Sequence, residues 1–182
     1  YHFGKFLFVQ DPEQMKKAHE RAVECRNLAL PFLDPPGKRV NIPHGEHSFY
    51  GNLRKPAGIK NPPVILMTLG LDSAKEEMDT NEKIFLERGM ATLVFDGPGQ
   101  GESEYEQPIC PEYEVPVKSV MDWLEKRNDV DSDRVGIWGV SLGGYYAPRA
   151  AAFEERIKAC ISLTGPFKLI ECFNELPGLT KS

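Results

Sequence analysis

Four runs of strand length, at residues 64–69, 91–95, 134–138 and 157–163, the first two continuously apolar, alternate with segments patterned as helices. Strands that are apolar on consecutive residues are covered on both faces, and strands alternating with helices build a parallel sheet joined by right-handed crossovers. The alternation therefore predicts an α/β chain with a mostly parallel sheet. Between the first two runs a helix is expected, opening on the capping box of Ser73 and Glu76 and closing on Arg88 before Gly89. Val117, Val120, Met121 and Leu124 recur at helical spacing after Pro116, and a third helix is expected from about Leu142. Ahead of the first run, residues 39–42 and 48–54 read as a hairpin around the turn 44–47.

The N-terminal part has a different period. Asp11 followed by Pro12 pairs a capping acceptor with the residue that loses nothing at the first helical position. Met15, Ala18, Ala22, Cys25 and Ala29 then fall on one face of a helix ending before Pro31. Pro31, Pro35, Pro36 and Gly37 read as a linker. The expected organisation is an N-terminal helical segment and linker at 1–37, a core at 38–165, and at 166–182 the opening of a segment that runs on past the last residue.

Charge and cysteine usage narrow the function classes. The 182 residues carry a net charge of −5 with no block of Lys or Arg, which disfavours nucleic acid and anionic membrane as partners. The apolar stretch 63–69 is far shorter than the roughly 20 residues of a membrane-crossing helix, and residues 1–10 lack the ordered features of a signal peptide. The sequence opens on Tyr1 rather than Met, so the first residue is not expected to be the natural start. Cys25, Cys110, Cys160 and Cys172 form no CxxC and sit mostly in apolar patterns, so buried thiols in a reducing, cytoplasmic setting are expected. They imply no metal centre. His44 and His47 read as turn residues without a third ligand, and no cofactor is called for.

The chemistry concentrates where the third of the four runs turns into a helix. Gly139-Val140-Ser141-Leu142-Gly143 matches G-x-S-x-G with a strand before it and a helix after it. A serine on that tight turn is held in a strained conformation with its hydroxyl exposed, and side chains at Gly139 or Gly143 would collide with the neighbouring strand or helix. Ser141 is thus the expected nucleophile, and the Leu142 N–H at the helix start one expected oxyanion donor. The second donor is expected on Leu71, because Gly70-Leu71-Asp72-Ser73 follows the first run directly. Gly97-Pro98-Gly99-Gln100-Gly101 lacks the G-x-G-x-x-G spacing, and Pro98 has no N–H for a pyrophosphate, so a nucleotide site is rejected. Pro148 is expected to distort the helix after Ser141 by removing the bond to the Gly144 carbonyl.

Gly70-Leu71-Asp72-Ser73 with Lys75-Glu76-Glu77, the run Phe95 through Ser103, and Gly139 through Ala151 with Tyr145-Tyr146-Ala147-Pro148-Arg149 together resemble the α/β-hydrolases of the 2,6-dihydroxypseudooxynicotine hydrolase and fermentation-respiration switch protein group. The resemblance implies an α/β-hydrolase fold of which this chain holds the first six of eight strands, with a cap built partly from the N-terminal helical segment. It also implies a serine nucleophile and cleavage beside a carbonyl, in an ester or in the carbon–carbon bond of an aryl ketone. A small acyl or aryl-ketone substrate is expected against Tyr145 or Tyr146, either of which is equally compatible with core packing.

A Ser-acid-His order places base and acid after the nucleophile, yet the four histidines, His2, His19, His44 and His47, all precede Ser141. Base and acid are therefore expected from residues beyond these. The edge of the sheet at 157–163 should be completed by further residues of the same polypeptide or by another chain, and homo-oligomer formation is compatible with the sequence. Two other functions stay open: a serine peptidase of the prolyl-oligopeptidase type, and a non-catalytic ligand-binding protein on a hydrolase scaffold.

Overall fold

The computed structural model describes residues 11–174. Its strands are β1 (Gly37–His44), β2 (His47–Arg54), β3 (Pro63–Thr68), β4 (Ala91–Phe95), β5 (Asp131–Val140) and β6 (Ile157–Leu163). Its helices are α1 (Pro12–Ala29), α2 (Asp79–Leu86), α3 (Glu114–Glu125), α4 (Leu142–Phe153) and α5 (Leu169–Asn174). β1 and β2 form the expected antiparallel hairpin, turning at Gly45 with φ of 57°. β2 also pairs antiparallel with β4, after which β4, β3, β5 and β6 run parallel, giving the order β1-β2-β4-β3-β5-β6. The mostly parallel sheet is as the alternation of runs requires.

Alternation along β3 divides the core between the two faces of the sheet. Val64 and Leu66 join a cluster with Val117, Val120, Met121 and Leu124 of α3 and Ala147 and Ala150 of α4. Ile65 and Met67 face the other way, toward Met78, Trp138 and Phe85 of α2. Each such side chain contributes roughly 1.5–3 kcal/mol on burial, and β4, buried along its whole length, has cover on both sides. At the outer edge, β6 has only Ile157 buried, while Ile161 and Leu163 are 44% and 43% exposed.

Three sequence expectations are corrected. α1 begins as expected, with Asp11 accepting from the Gln14 N–H, but its buried line is Met15, His19 and Val23 rather than Met15, Ala18, Ala22, Cys25 and Ala29. Buried polar partners draw His19 inward and rotate the apolar alanines toward the flank. The buried-thiol expectation is corrected for two cysteines: Cys25 is exposed on the outside of α1 and Cys110 is partly exposed, while Cys160 lies on β6, the strand expected to be covered by further residues. The side chain of Cys172 lies outside the described residues. Ser73 and Glu76 do not start a helix either; Lys75–Glu77 is a single 3-10 turn, and α2 opens at Asp79 with Met78 as its cap. The reason is electrostatic, because Lys75 and Glu76 are taken into a buried ion cluster.

That cluster ties three segments together. The Lys75 ammonium, fully buried, lies 2.7 Å from Asp96, 2.8 Å from Glu76 and 2.5 Å from Glu102. Burial alone would push its pKa down, but the three carboxylates outweigh that and hold it above the usual lysine value. Asp96 also accepts from the backbone N–H groups of Lys75 and Glu102, so one carboxylate joins the loops after β3 and β4. Glu76 reaches α1, with its Oε2 3.7 Å from His19 Nε2, and His19 Nδ1 lies 2.9 Å from the Tyr105 hydroxyl. A second cluster holds the linker. Arg54, buried in β2, donates to the carbonyl oxygens of Asp34 and Pro35 and to the carboxylates of Asp79 and Glu82. Arg26 of α1 meets the same two carboxylates.

α4 runs through Pro148. The Gly144 carbonyl, deprived of its helical donor, instead accepts from the Ser162 hydroxyl of β6 at 2.6 Å. Ser162→Ala should therefore destabilise the complete polypeptide by about 1 kcal/mol, as read from denaturant unfolding. Adding Pro148→Ala should recover most of the loss by restoring an N–H for Gly144; simple additivity of the two changes would contradict this account.

Acid stability gives a second check. Burial raises the Glu76 carboxyl, but the His19 hydrogen bond and the Lys75 charge overcome it and hold its pKa at about 2, against an ordinary 4.5. A carboxylate depressed in the folded state stabilises it fully above its unfolded pKa and loses that contribution as pH falls through the folded value. The stability difference between the native protein and Glu76→Gln should thus be on the order of 2 kcal/mol at pH 6 and shrink between about pH 4.5 and 2. A difference independent of pH would contradict the assignment.

Candidate active site

In an open parallel sheet, ligands bind beyond the carboxyl ends of the strands where successive connections leave in opposite directions. Here that point lies between β3 and β5, since the chain after β3 crosses to β4 on one side and the chain after β5 crosses to β6 on the other. The register pairs Thr68 with Gly139. The segments that follow, Leu69-Gly70-Leu71 and Val140-Ser141-Leu142, therefore emerge side by side.

Ser141 has φ of 56° and ψ of −122°, in the left-handed region that side chains avoid at a cost of about 1–3 kcal/mol. Neighbouring bonds hold it there. Its N–H donates to the Leu163 carbonyl at 2.9 Å, and its own carbonyl accepts from the Gly144 N–H at 2.9 Å. Thr68 Oγ1 donates to the carbonyls of Trp138 and Gly143, fastening the end of β3 to the first turn of α4. A Cβ on Gly139 would overlap the Gly143 carbonyl, and one on Gly143 would overlap that of Thr68. The glycines flanking Ser141 are thus required by close backbone approach, as the motif demands, and Ser141 itself is exposed.

Gly70 stands next to the serine, since a Cβ placed on it would lie 3.5 Å from Ser141 Cβ and 3.8 Å from Ser141 Oγ. Leu71 follows directly, with its side chain 49% exposed. Leu142 is the first residue of α4, where the N–H groups have no partner within the helix. The two expected donors therefore sit on the segments that flank Ser141.

The two tyrosines part company. Tyr146 is fully buried, its ring stacked on Tyr113 at 3.9 Å and 4°, so it belongs to the core rather than to a substrate surface. It packs in the cluster that holds Val117, Val120 and Met121 of α3. Tyr145 is directed to an open groove of about 410 Å³ on the β6 flank of α4, lined also by Pro148, Arg149, Phe153 and Phe167.

The histidines before Ser141 have other engagements. His19 lies with Tyr105 and Glu76, while His44 stacks on Phe49 and meets the Ser119 hydroxyl at 2.8 Å. His47 is exposed at the hairpin turn, and His2 lies outside the described residues. Among the described residues no group of three or more His, Cys, Asp or Glu is placed to hold a metal ion, and no helix is long and apolar enough to cross a membrane. Sequence reasoning missed Lys75, Asp96 and Gln100 as buried polar residues behind the site. Gly101, with φ of 48° and no side chain, lets the Asp96 carboxylate pack against it.

Comparison with known proteins agrees with this geometry. The family model of the X-Pro dipeptidyl-peptidase (S15 family) matches residues 50–175, more than half of the chain. The chain is 39% identical over 163 residues to 2,6-dihydropseudooxynicotine hydrolase from Paenarthrobacter nicotinovorans, covering 90% of this chain and 44% of that protein. It superimposes on the crystal structure of the 2,6-dihydroxy-pseudo-oxynicotine hydrolase with a TM-score of 0.87 at 39% identity, covering 96% of this chain and 49% of that one. Est1E from Butyrivibrio proteoclasticus, solved with ferulic acid bound, matches with a TM-score of 0.68 at 26% identity over 77% of this chain and 59% of that one. The chain thus spans less than half the length of the curated relative. With its sheet order, its serine turn after β5 and the match over residues 50–175, this chain belongs to the S15 family of the α/β-hydrolases, in the group of the 2,6-dihydroxypseudooxynicotine hydrolase.

Proposed function

We propose that this chain carries the nucleophile and the oxyanion donors of a serine hydrolase that cleaves beside a carbonyl. The observation that supports this most directly is the strained, exposed Ser141 at the switch point between β3 and β5, with Gly70 against it. In this reading Ser141 Oγ attacks the carbonyl carbon and its proton passes to a base. The carbonyl oxygen takes up the negative charge and accepts from the N–H groups of Leu71 and Leu142. Collapse expels the protonated leaving group and leaves an acyl ester on Ser141, which water then hydrolyses. Base and acid come from residues outside this sequence. The mechanism needs no cofactor.

The substrate proposed is a small acyl or aryl-ketone compound, cleaved at an ester or a carbon–carbon bond. It is supported by the likeness to a hydrolase named for an oxynicotine and to an esterase solved with ferulic acid. A second reading, a peptidase acting after proline, is favoured by the description of the family model. The cytoplasm is the proposed location.

In the complete polypeptide, an aryl ester, an aryl ketone with a cleavable side chain and an X-Pro chromogenic peptide separate the readings. Turnover of the first or second is expected. Ser141→Ala should lower kcat roughly 10³-fold or more while circular dichroism and Tm stay near native. A fluorophosphonate should label the native protein at Ser141 alone. An unlabelled Ser141 with intact ligand binding would instead favour the non-catalytic scaffold, and preferential cleavage of the X-Pro peptide would favour the peptidase.

A further inference from the structure

Gly97-Pro98-Gly99-Gln100-Gly101 fits no nucleotide site, yet it occupies the loop after β4, beside the proposed oxyanion loop. Gln100 is fully buried there. Its Nε2 donates to the Leu69 carbonyl at 2.5 Å and to the Gly70 carbonyl at 3.2 Å, and its Oε1 accepts from the Tyr113 hydroxyl at 2.9 Å. The direction of the amide is dictated chemically, because carbonyl oxygens only accept and the NH₂ must therefore face Leu69 and Gly70.

The peptide group offers the connection to chemistry. The Gly70 carbonyl and the Leu71 N–H belong to one planar trans peptide, so they point in opposite directions. Whatever holds the Gly70 oxygen also aims the Leu71 N–H. Only one other donor reaches that oxygen among the backbone bonds of the described residues, the Ser73 N–H at a long 3.4 Å. Gly70 itself has nothing but a backbone to hold, and it lies against Ser141.

The surrounding glycines fit this use. A Cβ on Gly97 would overlap the Tyr113 hydroxyl, and one on Gly101 would overlap the Asp96 carboxylate, so both must be bare for Gln100 to be seated. Tyr113 in turn stacks on Tyr146 of α4. A continuous chain of contacts therefore runs from the helix that carries Ser141, through the stacked tyrosines and the Gln100 amide, to the peptide that carries the Leu71 N–H.

We propose that Gln100 is a positioning residue of the oxyanion site, fixing the Gly70–Leu71 peptide so that its N–H meets the developing charge. This rests on the reading of Ser141 as a nucleophile. A misdirected donor weakens the transition state more than the bound substrate, so the loss should fall on kcat and not on KM.

The test uses Gln100→Glu and Tyr113→Phe in the complete polypeptide. Gln100→Glu keeps the acceptor for Tyr113 but turns oxygen toward the two carbonyls. It should lower kcat about 100-fold, leave KM within about threefold and slow fluorophosphonate labelling of Ser141 in parallel. Tyr113→Phe keeps the donor but frees the amide, and should lower kcat about tenfold with KM again unchanged. If Gln100→Glu does not fold, Tyr113→Phe decides. Unchanged kcat and labelling in a folded variant, or a loss carried wholly by KM, would overturn the proposal while leaving Ser141 as nucleophile. Failure of the native protein to label or of Ser141→Ala to lose activity would overturn the nucleophile and this inference together.

Discussion

A lysine ammonium with no exposure to water must be neutralised where it stands, and Lys75 meets that condition with Asp96, Glu76 and Glu102. Removing one partner of such a pair leaves an unpaired buried charge, at a cost of about 3–5 kcal/mol. The geometry of the region follows from this requirement. Because Asp96 also binds two backbone N–H groups, the loops that follow β3 and β4 have one fixed relation. Through Glu76 the same cluster reaches His19 and thereby ties α1 to the turn after β3. The N-terminal helix is held at this point by the polar contacts of His19 as well as by the buried Met15 and Val23.

On the other side of β3 the constraint is steric. Gly139, Gly143 and Thr68 bring the backbones of β5, α4 and β3 so close that no Cβ fits at either glycine. This proximity keeps Ser141 in a conformation it would otherwise leave, with the strain offset by the bonds to Leu163 and Gly144. Gly144 is packed equally closely against Gly165, so the chain leaving β6 also braces the first turn of α4. The site is thus framed by an ion pair on the β4 side and by glycine contacts on the β6 side, and both meet at the end of β3.

Much of this was legible in residue order. The strand 91–95 falls where its apolar run places it, because a continuous run buried on both faces leaves few alternatives, and 157–163 is a strand as expected. The serine turn was legible because G-x-S-x-G combines a steric rule with a strand before and a helix after. α3 follows its apolar spacing closely. What failed were particular inferences that treated polarity as a sign of exposure or apolarity as a sign of burial. His19 is buried and Cys25 exposed, though periodicity placed them the other way. Glu76 suited a capping box locally but found a stronger partner in Lys75. Tyr146 turned inward because Tyr113, thirty-odd residues away in sequence, presents a parallel ring.

By itself the sequence determined the order of strands and helices, the place of Ser141 and the glycines around it, because these depend on local sterics and on the period of apolar residues. Only the tertiary structure decided which polar groups go inside. Lys75, Asp96, Gln100 and Arg54 are tolerated in the interior because partners from distant segments arrive with matching charge or hydrogen-bonding geometry. Such pairing is a property of three-dimensional proximity, and a linear pattern carries no trace of it.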